Sequence, residues 1–96
     1  MILTERRTDR GLLVTVCDRG LLGETFEDGA VTLSVTEEFY GGEPADPEAV
    51  IEALSRATVA NLVGEATVEL AVEEGFVDEE NVLEVEETLH AQYLQL

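Results

Sequence analysis

Ninety-six residues fit one domain, residues 1–96, with no room for a second hydrophobic core. Five Arg stand against 22 Asp plus Glu, there is no Lys, and the formal net charge is −17. Self-repulsion on that scale destabilises a compact state unless salt screens it, and at molar salt the Debye length falls to about 3 Å, so the composition points to a salt-saturated cytoplasm.

In chain order, Ile2-Leu3-Thr4 begins a first strand and Thr8-Asp9-Arg10-Gly11 has turn chemistry. Leu12–Cys17 (LLVTVC), rich in β-branched residues, predicts a second strand. Asp18-Arg19-Gly20 turns the chain into Leu21-Leu22-Gly23, and Glu27-Asp28-Gly29 is a hairpin signal. Val31, Leu33 and Val35 alternate with Thr32, Ser34 and Thr36, the pattern of a half-buried strand. Phe39-Tyr40-Gly41-Gly42 closes this strand-rich front with an aromatic pair and a turn.

Asp46-Pro47-Glu48 starts a helix, with Asp as N-cap, Pro at the first helical position and an acid in the first turn. Val50, Ile51, Leu54 and Ala57 share one helical face. A second helical register is predicted through Val59, Leu62, Val63, Ala66 and Leu70, with Ala57-Thr58 as a break or kink. Gly64 inside that pattern reads as a site of close packing. Gly75 reads as the residue that ends the helix, with Phe76 supplying the accompanying apolar contact. Val82, Leu83 and Val85 predict a short strand, and His90–Leu96 is extended. The tail strand returns after the helices and is placed to pair in parallel with an earlier one. The expected class is α+β: a small, mainly antiparallel sheet, a pair of helices (or one kinked helix) on one face, and a C-terminal strand.

Apolar residues make up 45% of the chain and fall in periodic blocks, which argues for folding rather than disorder. The lone Cys17 has no internal disulfide partner, as in a reducing cytosol. No apolar run approaches the roughly 18 residues of a membrane span, and MILTERRTDR is no signal peptide. The expectation is a cytoplasmic protein with no membrane partner.

Arg6, Arg7, Arg10 and Arg19 sit in the first 19 residues with only three acids, a formal +1, which leaves −18 for the remainder. Planar guanidinium groups gathered around two turns suit phosphate or a partner's carboxylates. The alternative is that they serve as intramolecular partners for an acidic surface. Net negative charge does not exclude nucleic acid here, because counterion release loses its force at molar salt. Cys17, Asn61 and His90 include the residue types of a thiolate nucleophile with its base and orienting amide, although Cys17 falls in an apolar strand where thiols are inert. One His and one Cys cannot build a structural zinc site. The acid clusters lack the spaced ligands and turn glycine of a calcium loop, so no metal or cofactor is expected.

Val16-Cys17-Asp18 followed by Leu21–Gly29 resembles the opening motif of the archaeal family called domain of unknown function 424. The resemblance continues through Glu38–Glu43, Ala57–Gly64 and Gly75–Val82, and ends at His90-Ala91-Gln92. Two departures stand out: Leu89 replaces a proline before His-Ala-Gln, and Gly64-Glu65-Ala66 replaces a basic stretch. The resemblance implies an archaeal, here haloarchaeal, protein with a loose link to translation, and marks Cys17, Asp18, Asn61, His90 and Gln92 as the polar positions of a shared site. The leading expectation is a small binding module contacting RNA or ribosome-associated proteins through Arg6, Arg7, Arg10 and Arg19. The alternatives are a small enzyme using Cys17 with His90, or a protein-interaction subunit using the Phe39-Tyr40 corner or Tyr93–Leu96.

Overall fold

The computed structural model describes residues 1–95; Leu96, at the end of the predicted extended tail, lies outside the described residues. Its main sheet is built from β1 (Ile2–Thr8), β2 (Gly11–Cys17), β5 (Glu43–Pro44), β6 (Val59–Val63), β7 (Leu83–Val85) and β8 (Thr88–Leu94), in the order β5-β1-β2-β6-β8-β7. A separate hairpin pairs β3 (Thr25–Asp28) with β4 (Val31–Ser34). Three helices, α1 (Glu37–Tyr40), α2 (Pro47–Arg56) and α3 (Glu65–Glu73), complete the α+β fold.

Local signals form the elements they predict. Asp46 Oδ1 accepts from the Ala49 N–H at 2.9 Å and Pro47 opens α2. At the end of α3, Gly75 has φ +81, the Phe76 N–H reaches the Ala71 carbonyl at 2.9 Å, and the Gly75 N–H reaches Val72 at 3.1 Å. That bond pattern is a Schellman cap.

Two expectations are corrected. Val59–Val63 is a strand at the centre of the sheet and not the start of a helix. Helix α2 ends at the Ala57 C-cap, so the anticipated break is a full change of element. A short run with apolar residues on both faces fits either period, and here strands flank it on both sides. The tail also pairs differently: β8 runs antiparallel to β6, while β2 and β6 make the parallel pair. The β7–β8 hairpin reverses the chain over Glu86-Glu87, which sets that direction. The aromatic pair Phe39-Tyr40 forms the last half of α1, a short helix the sequence reading did not include, capped by Thr36, whose hydroxyl accepts from the Phe39 N–H.

Helices α2 and α3 cover one face of the sheet. The core there is Leu12, Val14 and Val16 of β2, Ala60 and Leu62 of β6 and Ala91 of β8, against Val50, Ala53, Leu54, Val68 and Ala71. The opposite face carries a smaller cluster of Ile2, Cys17, Val35, Tyr40 and Val63, flanked by Leu21, Leu22, Phe26, Leu33 and Phe39. Helix α1 lies on β1 and β2 from that side, and the β3–β4 hairpin leans on β7.

Candidate functional site

Strand register aligns three rows across this second face. Ile2, Cys17, Val63 and His90 form the first row, and Thr4, Thr15, Asn61 and Gln92 the second. Arg6, Leu13, Val59 and Leu94 form the third. Side chains alternate along a strand, so all twelve share one face. The first row is roofed by the hairpin cluster, whereas α1 covers the β1–β2 part of the second: Thr15 Oγ1 donates to the Phe39 carbonyl at 3.0 Å and Thr4 Oγ1 to Gly41 at 2.8 Å. Between these covers, Asn61 and Gln92 look outward beside Leu13, Val59 and Leu94, the last 63% exposed.

No carboxylate stands in these rows. The sheet's own glutamates, Glu5, Glu43 and Glu84, pair with Val14, Leu3 and Leu89, whose side chains belong to the helix-covered core. All three therefore point to the other side. In a chain of net charge −17, the sheet leaves its second face free of acids.

The five arginines are not one patch. Arg6 packs its guanidinium carbon 5.4 Å from the Phe39 ring centroid and donates to the Phe39 carbonyl at 3.1 Å and to the Glu38 carbonyl, so it closes the C-terminal end of α1. Arg7, one residue on, faces the helix side of the sheet, Arg10 sits in the β1–β2 turn, and Arg19 lies in a single 3-10 turn beyond the far end of β2. Arg56, at the end of α2, pairs with Glu5 at 2.9 Å and Glu52 at 2.7 Å. Among the described residues, Arg7, Arg10 and Arg19 have no carboxylate within ion-pair distance.

Cys17 and His90 share a row but Val63 stands between them, which puts their backbones two strand spacings, roughly 10 Å, apart. Cys17 is fully buried, and desolvation, reinforced by the neighbouring Asp18 carboxylate, pushes its thiol up to about 11. The Nδ1 of His90 lies 2.9 Å from the Leu62 carbonyl; a carbonyl can only accept, so this nitrogen carries the hydrogen. Asp18 is the remote cap of α3: its carboxylate accepts from the Ala66 N–H (3.1 Å), the Thr67 N–H (2.9 Å) and the Thr67 hydroxyl (2.8 Å). The N-cap residue of α3 is Gly64, which has no side chain to do this. Asn61 Oδ1 accepts from Gln92 Nε2 at 2.9 Å across the β6–β8 pair.

The Phe39-Tyr40 corner is not an exposed apolar surface. Tyr40 is buried, Phe39 is half-buried beneath Arg6, and their rings meet edge to face at 5.0 Å. A groove of about 380 Å³ lies between α3 and β7–β8, with Val68, Val72, Val82 and Leu89 among its walls and glutamates of α3 and β7 beside them. It includes none of the predicted site residues. The shelf formed by Leu13, Val59 and Leu94 was absent from the sequence expectations, because its alternation with Thr15, Asn61 and Gln92 is legible only once Val59–Val63 is a strand. Among the described residues, no three His, Cys, Asp or Glu side chains gather as a metal site, and no helix is long and apolar enough to cross a membrane.

Residues 5–96 match the family model described as "Protein of unknown function (DUF424)". No curated protein matches the chain. The fold is similar to the crystal structure of an uncharacterized conserved protein from Methanopyrus kandleri, with a TM-score of 0.74 and 26% sequence identity over 99% of this chain and 93% of that one.

Proposed function

The chain belongs to the DUF424 family, and from that premise we propose that it is a non-catalytic binding module of a halophilic archaeal cytoplasm whose partner is RNA, free or within the translation machinery. The observation that carries this reading is that the strand rows of the second face hold no carboxylate in a molecule with 22 of them. Its uncovered part, around Asn61, Gln92 and the Leu13-Val59-Leu94 shelf, thus presents neutral groups, while the acids on that side stand on its covers and margin, among them Glu37 and Glu38 of α1 and Asp78 beside Gln92. An anionic polymer approaching such a molecule meets repulsion elsewhere, and molar salt screens that repulsion without removing it at contact distance. Arg6 edges the face, Arg10 lies in the turn at its hairpin end, and Arg7 projects from the opposite side at that same end; neither Arg7 nor Arg10 has a carboxylate partner among the described residues. With counterion release weak at high salt, local guanidinium contacts, hydrogen bonds and packing on bases must supply the affinity.

The enzyme reading lacks a workable nucleophile. A thiol with its pKa near 11 is protonated at neutral pH, and the only imidazole has one nitrogen committed to a backbone carbonyl. Asp18, the remaining polar motif residue beside Cys17, has its carboxylate engaged by α3.

Co-sedimentation of a tagged copy with ribosomes from a high-potassium lysate, with and without ribonuclease, tests the proposal. The variant is Arg7→Gln with Arg10→Gln; Arg6 is kept because it holds α1. Ribonuclease-sensitive association that weakens in the variant is the expected result. Migration as a free small protein under every condition would remove the ribosome as partner, and failure to bind labelled single-stranded RNA as well would overturn the RNA reading.

A further inference from the structure

We propose that the Asn61–Gln92 amide pair, with the Leu13-Val59-Leu94 shelf beside it, is a reading site for one unpaired nucleobase. The inference rests on the RNA reading and names the part of the ligand that this face recognises.

Two primary amides bring two carbonyl oxygens and four N–H groups to the site, and the bond between them consumes one of each kind. Asn61 keeps its –NH2 and Gln92 keeps its Oε1. Exchanging O and N in both side chains leaves the same outcome, one free donor group beside one free acceptor, on opposite residues. Neither amide makes another side-chain hydrogen bond among the described residues. The pair is also fixed in place. Asn61 belongs to β6, which is paired on one side with β2 through Thr15 and on the other with β8 through Gln92. The link to Gln92 orients both amides before any ligand arrives, which reduces the ordering cost of binding.

The chemistry left over matches a base edge better than a phosphate. Every nucleobase presents a donor next to an acceptor on its Watson–Crick edge, and such edges are free in single strands. A phosphate offers only acceptors and would face the amide oxygen unfavourably. Leu13, Val59 and Leu94 stand side by side in the adjoining row, an aliphatic surface against which a flat ring can lie. At the end of that row is Arg6, with N–H groups beyond the two used on α1. A guanidinium there can meet the phosphate attached to the bound base. A partner's peptide backbone also carries donors and acceptors, but it pairs most readily with a strand edge, and Asn61 and Gln92 point from a sheet face.

The test is fluorescence-anisotropy titration in molar KCl with labelled homo-oligoribonucleotides and an abasic oligomer of equal length. Asn61→Ala and the near-isosteric, uncharged Gln92→Met are compared with the wild type, and circular dichroism confirms that both fold. Wild type should bind at least one base-bearing oligomer more tightly than the abasic one. Each variant should lose about tenfold on that oligomer and nothing on the abasic one, the loss expected for a paired amide contact to a base. Equal binding of abasic and base-bearing oligomers overturns the base site, as do folded variants that bind like wild type. If Arg7→Gln/Arg10→Gln still weakens binding in those cases, the RNA reading stands without it. A wild type that binds no oligomer and no ribosome removes both.

Discussion

Adding a single methyl group at Gly64 should unseat α3 from the sheet. Gly64 has φ +114 and ψ 150, a region open essentially to glycine, where another residue carries strain of about 1–3 kcal/mol. A Cβ there would stand 2.2 Å from the Asp18 carboxyl carbon and 2.5 and 2.6 Å from its oxygens. The carboxylate must move, and with it go the three bonds that cap α3, including the one that satisfies the fully buried Thr67. Losing a cap and stranding a buried polar group adds about 1–3 kcal/mol. Gly64→Ala should therefore cost about 2–6 kcal/mol out of the roughly 5–14 kcal/mol expected for a chain of this length. The melting temperature should fall by at least ~8 °C. Thermal and urea denaturation in molar KCl, followed by circular dichroism, would measure it. The reasoning is tested more sharply in an Asp18→Ala background, where the clash is gone and Gly64→Ala should cost only the backbone strain, about 1–3 kcal/mol. A cost below ~1 kcal/mol in the native background, or an equal cost in both, would refute it.

Three further outcomes are expected. Cys17 and Tyr40 have pKa values raised by burial from 9.0 and 10.0 to about 11 and about 12, so the stability they contribute is complete below about pH 9 and is lost as pH rises through those folded values. Urea midpoints should drop steeply above about pH 9, by the equivalent of about 2–3 kcal/mol per group, and Cys17→Ala should flatten the lower part of the fall. A thiol reagent should leave Cys17 untouched in the native protein and label it fully in denaturant; rapid native labelling would mean that the β2 end is open to solvent. Dilution from molar KCl to ~0.1 M, where the Debye length grows to about 10 Å, should lower the melting temperature markedly, and an unchanged value would disconnect the −17 charge from the solvent.

What could be read from the sequence was whatever a few neighbouring residues decide. Asp46-Pro47 and Gly75-Phe76 carry their cap chemistry within four or five positions, and both ends of helix formed where they predict. The strand at Val31–Ser34 announces itself by alternation. Val59–Val63 does not, because Val59 and Val63 make its outward row nearly as apolar as the inward Ala60 and Leu62, and the run borrows the spacing of the helix that follows. Asp18 and Gly64 illustrate the same limit at the site. Each is plainly a turn residue, yet the reason for the glycine is a carboxylate 46 positions earlier in the chain. The arginines cluster in sequence but alternate across β1 and divide between the two ends of β2, so linear proximity overstated their proximity in space. Asn61 and Gln92 were legible as polar motif residues; that they hydrogen-bond to each other depends on a strand pairing the sequence does not display.

The parallel pair at the centre of the sheet has a consequence for how the molecule comes into being. Leu13 pairs with Val59 and Cys17 with Val63, so β2 waits 46 residues for its neighbour. During synthesis the β1–β2 hairpin can close as soon as it emerges, but its inner edge, an apolar strand of unpaired N–H and C=O groups, stays open until nearly half the chain has followed. Sheets closed by such distant partners fold slowly, since the loop entropy is spent before the contact forms. The interval is a window for mispairing with another nascent chain. In the finished protein β2 is enclosed between β1 and β6, so that window shuts once β6 arrives.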